Sequence, residues 1–263
     1  WCDGGTLPRP IAYGAVVSTS AGVVCMGGNN ATETFADVFL LRWNPAERTV
    51  ERLVLPSLPQ PCAYGQAASI GTVVYLAGGQ SGHALDTAMD NLWALDLARL
   101  GKAGAAWRTL PVCPGGARAF NVTVAQHDGF GDGVYVLGGR RAMGDAAEFL
   151  ADVWEFIPTT SAWRPRAPLP RSVAAGTAIG FGQSHVFVLG GDDGSLFDSA
   201  GQRRDAHPGF PTEALAYHTI TDTWTSAGAL PLVQITTPAV MWNGRAILAS
   251  GEVRPRVRTP QIM

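Results

Sequence analysis

The chain has 263 residues, of which 46% are hydrophobic and only 15% charged, enough apolar material for one large core in a size range that all-β barrels and propellers reach as a single domain. Its 32 glycines and formal charge of -2 point to short strands and tight turns rather than helical bundles, and give no electrostatic reason to expect nucleic acid or an anionic membrane as partner. No stretch approaches the roughly 18–20 apolar residues that span a bilayer, and membrane insertion is not expected.

The chain begins at Trp1 without a methionine or the basic, apolar, small-residue order of a signal peptide, so an upstream segment with a removed signal stays open. In the opening "WCDGGTLP", Trp1 and Pro8 stand seven residues apart, the separation that returns at Trp163 and Pro170 and at Trp224 and Pro231. The alternating "AYGAVV" follows, then the apolar run "GVVCMGG" ending in Gly27-Gly28, then "ADVFLL". The same order recurs as "AYGQAA", "VVYLAGG", "DNLWALD" and "WRTLP". A third copy holds "GVYVLGG", "ADVWEF" and "WRPRAPLP", and a fourth "AAGTAI", "HVFVLGG", "EALAYH" and "WTSAGALP". The last copy stops after "AILASG" and "EVRPRVRTPQIM". Its turn starts at Ser250 instead of a first glycine, which reads as a blade specialised to deliver Glu252 and Arg258 to one pocket.

Successive turns at Gly27, Gly78, Gly138, Gly190 and Ser250 lie 51, 60, 52 and 60 residues apart. Self-similarity at this period marks a propeller or solenoid. Units of four short strands cannot bury both faces alone and must stack on similar neighbours. The runs before glycine are short and rich in Val, Ile and aromatics, as expected of central strands covered on both sides. The paired glycines predict positive φ and close approach at the turn. The reading is one all-β propeller domain over 1–263. It has a blade tail at 1–8, blades at about 9–59, 60–111, 112–170 and 171–231, and a partial blade at 232–263. Glycine pair, later aromatic and trailing Trp resemble the kelch motif across essentially the whole chain, a resemblance specific for fold and nearly silent on function.

Superposing the copies puts Asn29, Gln80, Arg140, Asp192 and Glu252 at one equivalent position after the turn. In a propeller these positions are related by rotation, so the five are expected to ring one face. The bland alternative is a set of exposed polar turns. Glu252 is set apart by the arginines beyond it, Arg254, Arg256 and Arg258. A partly shielded carboxylate can act as general base, and a guanidinium can bind a carboxylate through a forked pair of hydrogen bonds. A turn over 253–258 would fold Arg258 back beside Glu252, either as a site or as a structural salt bridge. Arg9 and Arg171 hold matching places after Leu-Pro, on the face expected to carry the post-glycine turns.

Residues 192–211 form a long insertion of the kind that shapes a propeller mouth. Asp192, Asp193 and Asp198 lack the spacing of a calcium loop, and no metal site is expected. The D-x-G-x-x-F match at Asp192 to Phe197 occurs once, unlike the repeated aspartate boxes of sialidases. His185, His207 and His218 do not cluster and read as structural or exposed. Cys2, Cys25, Cys62 and Cys113 are irregularly spaced without C-x-x-C, which removes the common zinc and thioredoxin-like readings. Cys25 reads as a small core residue, and a disulfide framework is not expected.

The segments "SGEVRPRVRTP", "LPRPIAYGAVV", "VFVLGGDDGSLF" and "LAYHTITDTWTSAGALP" resemble the N-acetylneuraminate epimerase (sialic acid mutarotase) family in its cyclically permuted form. In that family an S/N-G-E-x-[KR]-P-x-x-R-T segment carries a catalytic glutamate and a substrate-contacting arginine, which fall here at Glu252 and Arg258. The resemblance implies a cofactor-free isomerase acting on a small sugar acid, sialic acid, in the periplasm or otherwise exported. It also implies six blades, so that this chain lacks about one. Asn29, Gln80, Arg140, Asp192, Arg9 and Arg171 are further candidate substrate contacts. A non-catalytic kelch module that binds a glycan or protein is the alternative.

Overall fold

The computed structural model describes residues 5–7 and 9–263. The strand expected at 1–8 rests on Trp1 and Pro8, which lie outside the described residues, as does Cys2. The first blade is the antiparallel sheet β1 (Ala15–Thr19), β2 (Gly22–Met26), β3 (Val38–Asn44) and β4 (Thr49–Leu55). The second is β5 (Gln66–Ile70), β6 (Val73–Ala77), β7 (Leu92–Asp96) and β8 (Arg108–Thr109). In the third, β9 (Val122–His127) and β10 (Asp132–Leu137) are separated from β13 (Val153–Ile157) and β14 (Ala162–Arg166) by a hairpin of β11 (Arg140–Met143) and β12 (Ala146–Phe149). The fourth is β15 (Thr177–Phe181), β16 (His185–Leu189), β17 (Glu213–His218) and β18 (Thr223–Ala229), with the short helix α1 (Ala200–Arg203) inside the insertion. The fifth has three strands, β19 (Ala239–Trp242), β20 (Arg245–Arg254) and β21 (Val257–Ile262).

The first strands face one another in succession, β1 to β5, β5 to β9, β9 to β15 and β15 to β19, and so line an axis. Burial follows distance from solvent. In β6, β7 and β10 all but one residue of each strand is buried, whereas in β18 all but Trp224 are exposed. The core is divided between blades. Val24, Met26 and Leu40 pack with Leu76, Trp93 and Leu95 across the first and second; Tyr75 and Leu92 meet Val134 and Phe156 across the second and third. Leu137 and Tyr135 meet Val186 and Tyr217 across the third and fourth.

The glycine turns bear out the expected conformation and show its cause. Gly27, Gly78, Gly138 and Gly190 have φ of 60°, 63°, 54° and 67°. A Cβ on Gly27 would stand 2.0 Å from Cys62 O, on Gly78 2.2 Å from Asn121 Oδ1, and on Gly138 2.3 Å from Val173 O, each on the following blade. The second glycine completes the joint, Gly28 N–H donating to Cys62 O at 2.7 Å and Gly79 N–H to Arg118 O at 2.9 Å. Ser250 keeps the left-handed φ at 62°, but it is exposed and donates its Oγ to Thr259 O at 2.9 Å in its own hairpin. The recurring Trp is a second joint. Trp107, Trp163 and Trp224 donate Nε1–H to Pro56 O, Pro111 O and Ala167 O at 2.9, 2.8 and 2.9 Å, each on the connection from the preceding blade.

Candidate functional site

Just before each first strand one residue is held in the left-handed region. Tyr13, Tyr64, Phe120, Ala175 and Thr236 have φ of 57°, 60°, 58°, 59° and 60°. None is glycine, and such conformations cost of order 1–3 kcal/mol each unless their surroundings over-determine them. The surroundings are one another. Tyr64 N–H donates to Tyr13 O, Phe120 N–H to Tyr64 O, Ala175 N–H to Phe120 O and Thr236 N–H to Ala175 O, at 2.7–2.9 Å. This arc of main chain runs through five blades at one end of a central cavity of about 450 Å³, whose walls carry small apolar residues such as Val16, Ala67, Val124 and Ala178. Three members carry rings in a continuous stack, with Tyr13–Tyr64 centroids 4.6 Å apart and Tyr64–Phe120 4.4 Å. Sequence reasoning missed these aromatics, although "AYG", "AYG" and "AFN" recur in register.

The five post-glycine residues are structurally equivalent, each bridged to the residue just before an arc member: Asn29 to Ala12, Gln80 to Ala63, Arg140 to Ala119, Asp192 to Ala174 and Glu252 to Ile235. They share one face with the arc. Exposed turns they are not: Asn29 and Gln80 are 4% and 2% exposed, and Arg140, Asp192 and Glu252 are half-buried. Asn29 Nδ2 donates to Tyr64 OH at 3.2 Å. Gln80 Nε2 donates to Ala84 O at 2.7 Å and so ties down its own loop.

Two hairpins rise from this ring, and each sets an arc-facing position opposite a partner. In the third blade Arg140 pairs with Phe149, in a hairpin that sequence reasoning did not find. In the fifth, Glu252 pairs with Arg258 across the turn at 255–256, so the expected fold-back is present. The salt-bridge alternative is not: among the described residues no ion pair joins them. Glu252 Oε1 instead accepts the Arg256 N–H at 2.6 Å. Arg258 Nη2 donates to Tyr13 OH at 2.9 Å, with its guanidinium 5.4 Å from that ring's centre. Arg254 turns away to the insertion, its Nη2 3.1 Å from Asp205 Oδ1 and its Nη1 donating to Asp205 O at 2.7 Å.

Arg140 lies against Phe120 at 4.1 Å, Phe197 at 5.0 Å and Phe149 at 5.8 Å. Burial lowers its pKa while Asp192, Tyr64 and Glu252 act through space in the opposite sense. Burial pushes the Asp192 carboxyl up, against the Gly194 N–H bond at 3.0 Å and the Arg140 charge that pull it down. Arg9 and Arg171 are engaged elsewhere. Arg9 pairs with Asp37 and covers Phe35, while Arg171 donates to Ser172 O, Gly190 O and Glu213 O. Among the described residues neither makes a hydrogen bond or ring contact with Tyr13, Tyr64 or Phe120. The histidines serve local structure: His218 bonds Ser184 and Thr221, and His207 Nδ1 accepts the Gly209 N–H.

No family profile matches the chain. Curated proteins do. The N-acetylneuraminate epimerase of Haemophilus influenzae (strain 86-028NP) is 28% identical over 234 residues, covering 78% of this chain and 57% of that protein. The protein of the same name from Yersinia enterocolitica is 26% identical over 258 residues, covering 87% and 60%, and that from Salmonella typhi 25% over 231 residues, covering 79% and 57%. The chain thus spans about three-fifths of the length of the curated relatives it matches. The solved structure of YjhT superposes with a TM-score of 0.72 over 98% of this chain and 82% of that one at 18% identity, a likeness of fold. The resemblance to N-acetylneuraminate epimerases read from "SGEVRPRVRTP" is borne out by these matches.

Proposed function

We propose that the chain is the greater part of a mutarotase that interconverts the α and β anomers of N-acetylneuraminate, acting without a cofactor in the periplasm or another exported setting. The observation that carries this reading is the Glu252–Arg258 cross-strand pair, set at the rim of an aromatic arc with Arg258 bonded to Tyr13. Opening the hemiketal needs a base at the anomeric hydroxyl and a proton for the ring oxygen. Glu252 takes the hydroxyl proton, the C–O ring bond breaks with its electron pair passing to the ring oxygen, and that oxygen takes up one proton. Rotation about the bond beside the new ketone presents its other face, and the reverse steps close the opposite anomer. No oxidation level changes. Arg258 contacts the sugar and positions it over Glu252. The sialic acid named by the curated relatives supports the choice of substrate.

The test is the equilibration of freshly released α-N-acetylneuraminate followed by NMR. Acceleration over buffer is expected, and none with the full-length protein would overturn the reading. One observation favours a second reading, a glycan-binding module without turnover: Glu252 Oε1 already accepts a 2.6 Å hydrogen bond from the Arg256 N–H, so one of its oxygens is occupied in holding the turn of its own hairpin. Tight binding of the sugar that survives Glu252→Gln, with no anomerisation by the wild type, would establish that alternative.

A further inference from the structure

Most of the buried or half-buried arginines of this molecule have partners for their N–H groups. Arg118 grips Asp152 with two nitrogens at 2.9 and 2.8 Å. Arg166 donates to Tyr217 OH and Thr219 O, Arg141 to Glu148 and Gly115 O, and Arg171 to three carbonyls. Arg140 differs. Among the described residues its side chain makes no hydrogen bond and no ion pair within 4 Å; its Nε, like that of Arg171, is buried without a partner, but its other nitrogens have none either. Asp192 and Glu252 act on it only through space, and each has an oxygen engaged by a main-chain N–H.

What holds Arg140 is ring faces. Phe120, Phe197 and Phe149 come from the arc, the insertion and the opposing strand of its own hairpin. Contacts of this kind attract the cation without consuming its donors. A largely desolvated charge whose carboxylate neighbours act only through space is costly and is tolerated where a partner arrives to pair it directly. A guanidinium presents two parallel N–H groups that match a carboxylate. Phe120 is also the last ring of the Tyr13–Tyr64–Phe120 stack, so the anion seat adjoins an apolar wall suited to the C–H face of a sugar.

We propose that Arg140, not Arg258, receives the carboxylate of a monosaccharide acid, and that Arg258 orients the sugar from the rim. The identity of the sugar rests on the mutarotase reading; the existence of the anion seat does not. It is tested by calorimetric binding of N-acetylneuraminate, its C1 amide and glucuronate to the full-length wild type, Arg140→Met, Arg140→Lys and Arg258→Lys. Wild type is expected to prefer acid to amide on the order of 10- to 100-fold, the worth of a charged hydrogen-bond pair. Arg140→Met should erase that preference, Arg140→Lys restore part of it, and Arg258→Lys weaken acid and amide alike. Protection of Arg140 from phenylglyoxal by the acid but not the amide, read by mass spectrometry on wild type, gives the same answer without a variant that must fold. A preference that survives Arg140→Met, or an unprotected Arg140 in saturated wild type, overturns the proposal. Arg140-dependent binding of glucuronate with none of N-acetylneuraminate keeps the anion seat and ends the mutarotase reading, whereas wild type that binds neither acid overturns both.

Discussion

Glu252 and Asp192 occupy the same position in successive blades yet stand in different surroundings, and removing each charge has a different consequence. Glu252→Gln keeps shape and loses the base, so anomerisation should fall by the ~10²- to 10⁴-fold typical of general acid–base catalysis while the melting temperature hardly moves. NMR rates and thermal melts on one preparation check this, and near-normal turnover in folded protein would exclude Glu252 as base. For Asp192 burial raises the folded pKa above the ordinary 3.8. The unfolded carboxyl then gives up its proton at lower pH than the folded one, so the ionised group opposes folding above its folded pKa and ceases to do so below the unfolded value. Asp192→Asn, which still accepts from Gly194 N–H, is therefore expected to stabilise the protein near pH 7. The gain should shrink as pH falls below the ordinary carboxylate range. Denaturant midpoints at both pH values decide it, and a loss of stability near pH 7 would mean that Arg140 depends on the charge.

At the scale of the element, the glycine turn shows how one local conformation is used in two ways. Gly78 at φ 63° must lack a side chain because Asn121 stands where its Cβ would go. Gly78→Ser combines left-handed strain with a clash against the next blade and is expected to cost ~2–4 kcal/mol. Ser250→Gly removes an exposed side chain whose hydroxyl bonds within its own hairpin. It relieves a left-handed side chain worth roughly 1–2 kcal/mol and gives up one exposed hydrogen bond, so it should be neutral or mildly stabilising. Urea midpoints separate the two, and equal losses in both variants would contradict packing as the reason for glycine. The same left-handed turn thus forms a blade joint at Gly78 and, at Ser250, lies within the hairpin of β20 and β21 that carries Glu252.

In the whole molecule the cores lie between blades, which makes adjacent sheets depend on one another. Leu76 is fully buried among residues of the first two blades. Leu76→Ala should therefore cost about 2–5 kcal/mol and loosen both sheets together. Hydrogen exchange is the measurement: amides of β2 and β6 should lose protection in parallel, and loss confined to β6 would mean that the blades open independently. The Trp163 to Pro111 bond and its two counterparts add a directional contact at the first three joints, and they account for a tryptophan where another apolar residue would fill the same volume.

Blade number, strand order and the positions of the turns were legible because they repeat. Strand burial and left-handed turns are local requirements, and a local requirement met in successive blades prints the same residues at the same spacing. The equivalence of Asn29, Gln80, Arg140, Asp192 and Glu252 was legible for that reason, as was the fold-back of Arg258. What each of these groups touches was not. Tyr13 meets Arg258 across 245 residues of chain, Arg140 gathers rings from three separate segments, and Arg9 and Arg171 are spent on neighbours beside their own strands. A repeat shows which residues are alike, and only the rotation of blades about an axis brings unlike ones together. Charge, burial and reach at the mouth are set by that rotation.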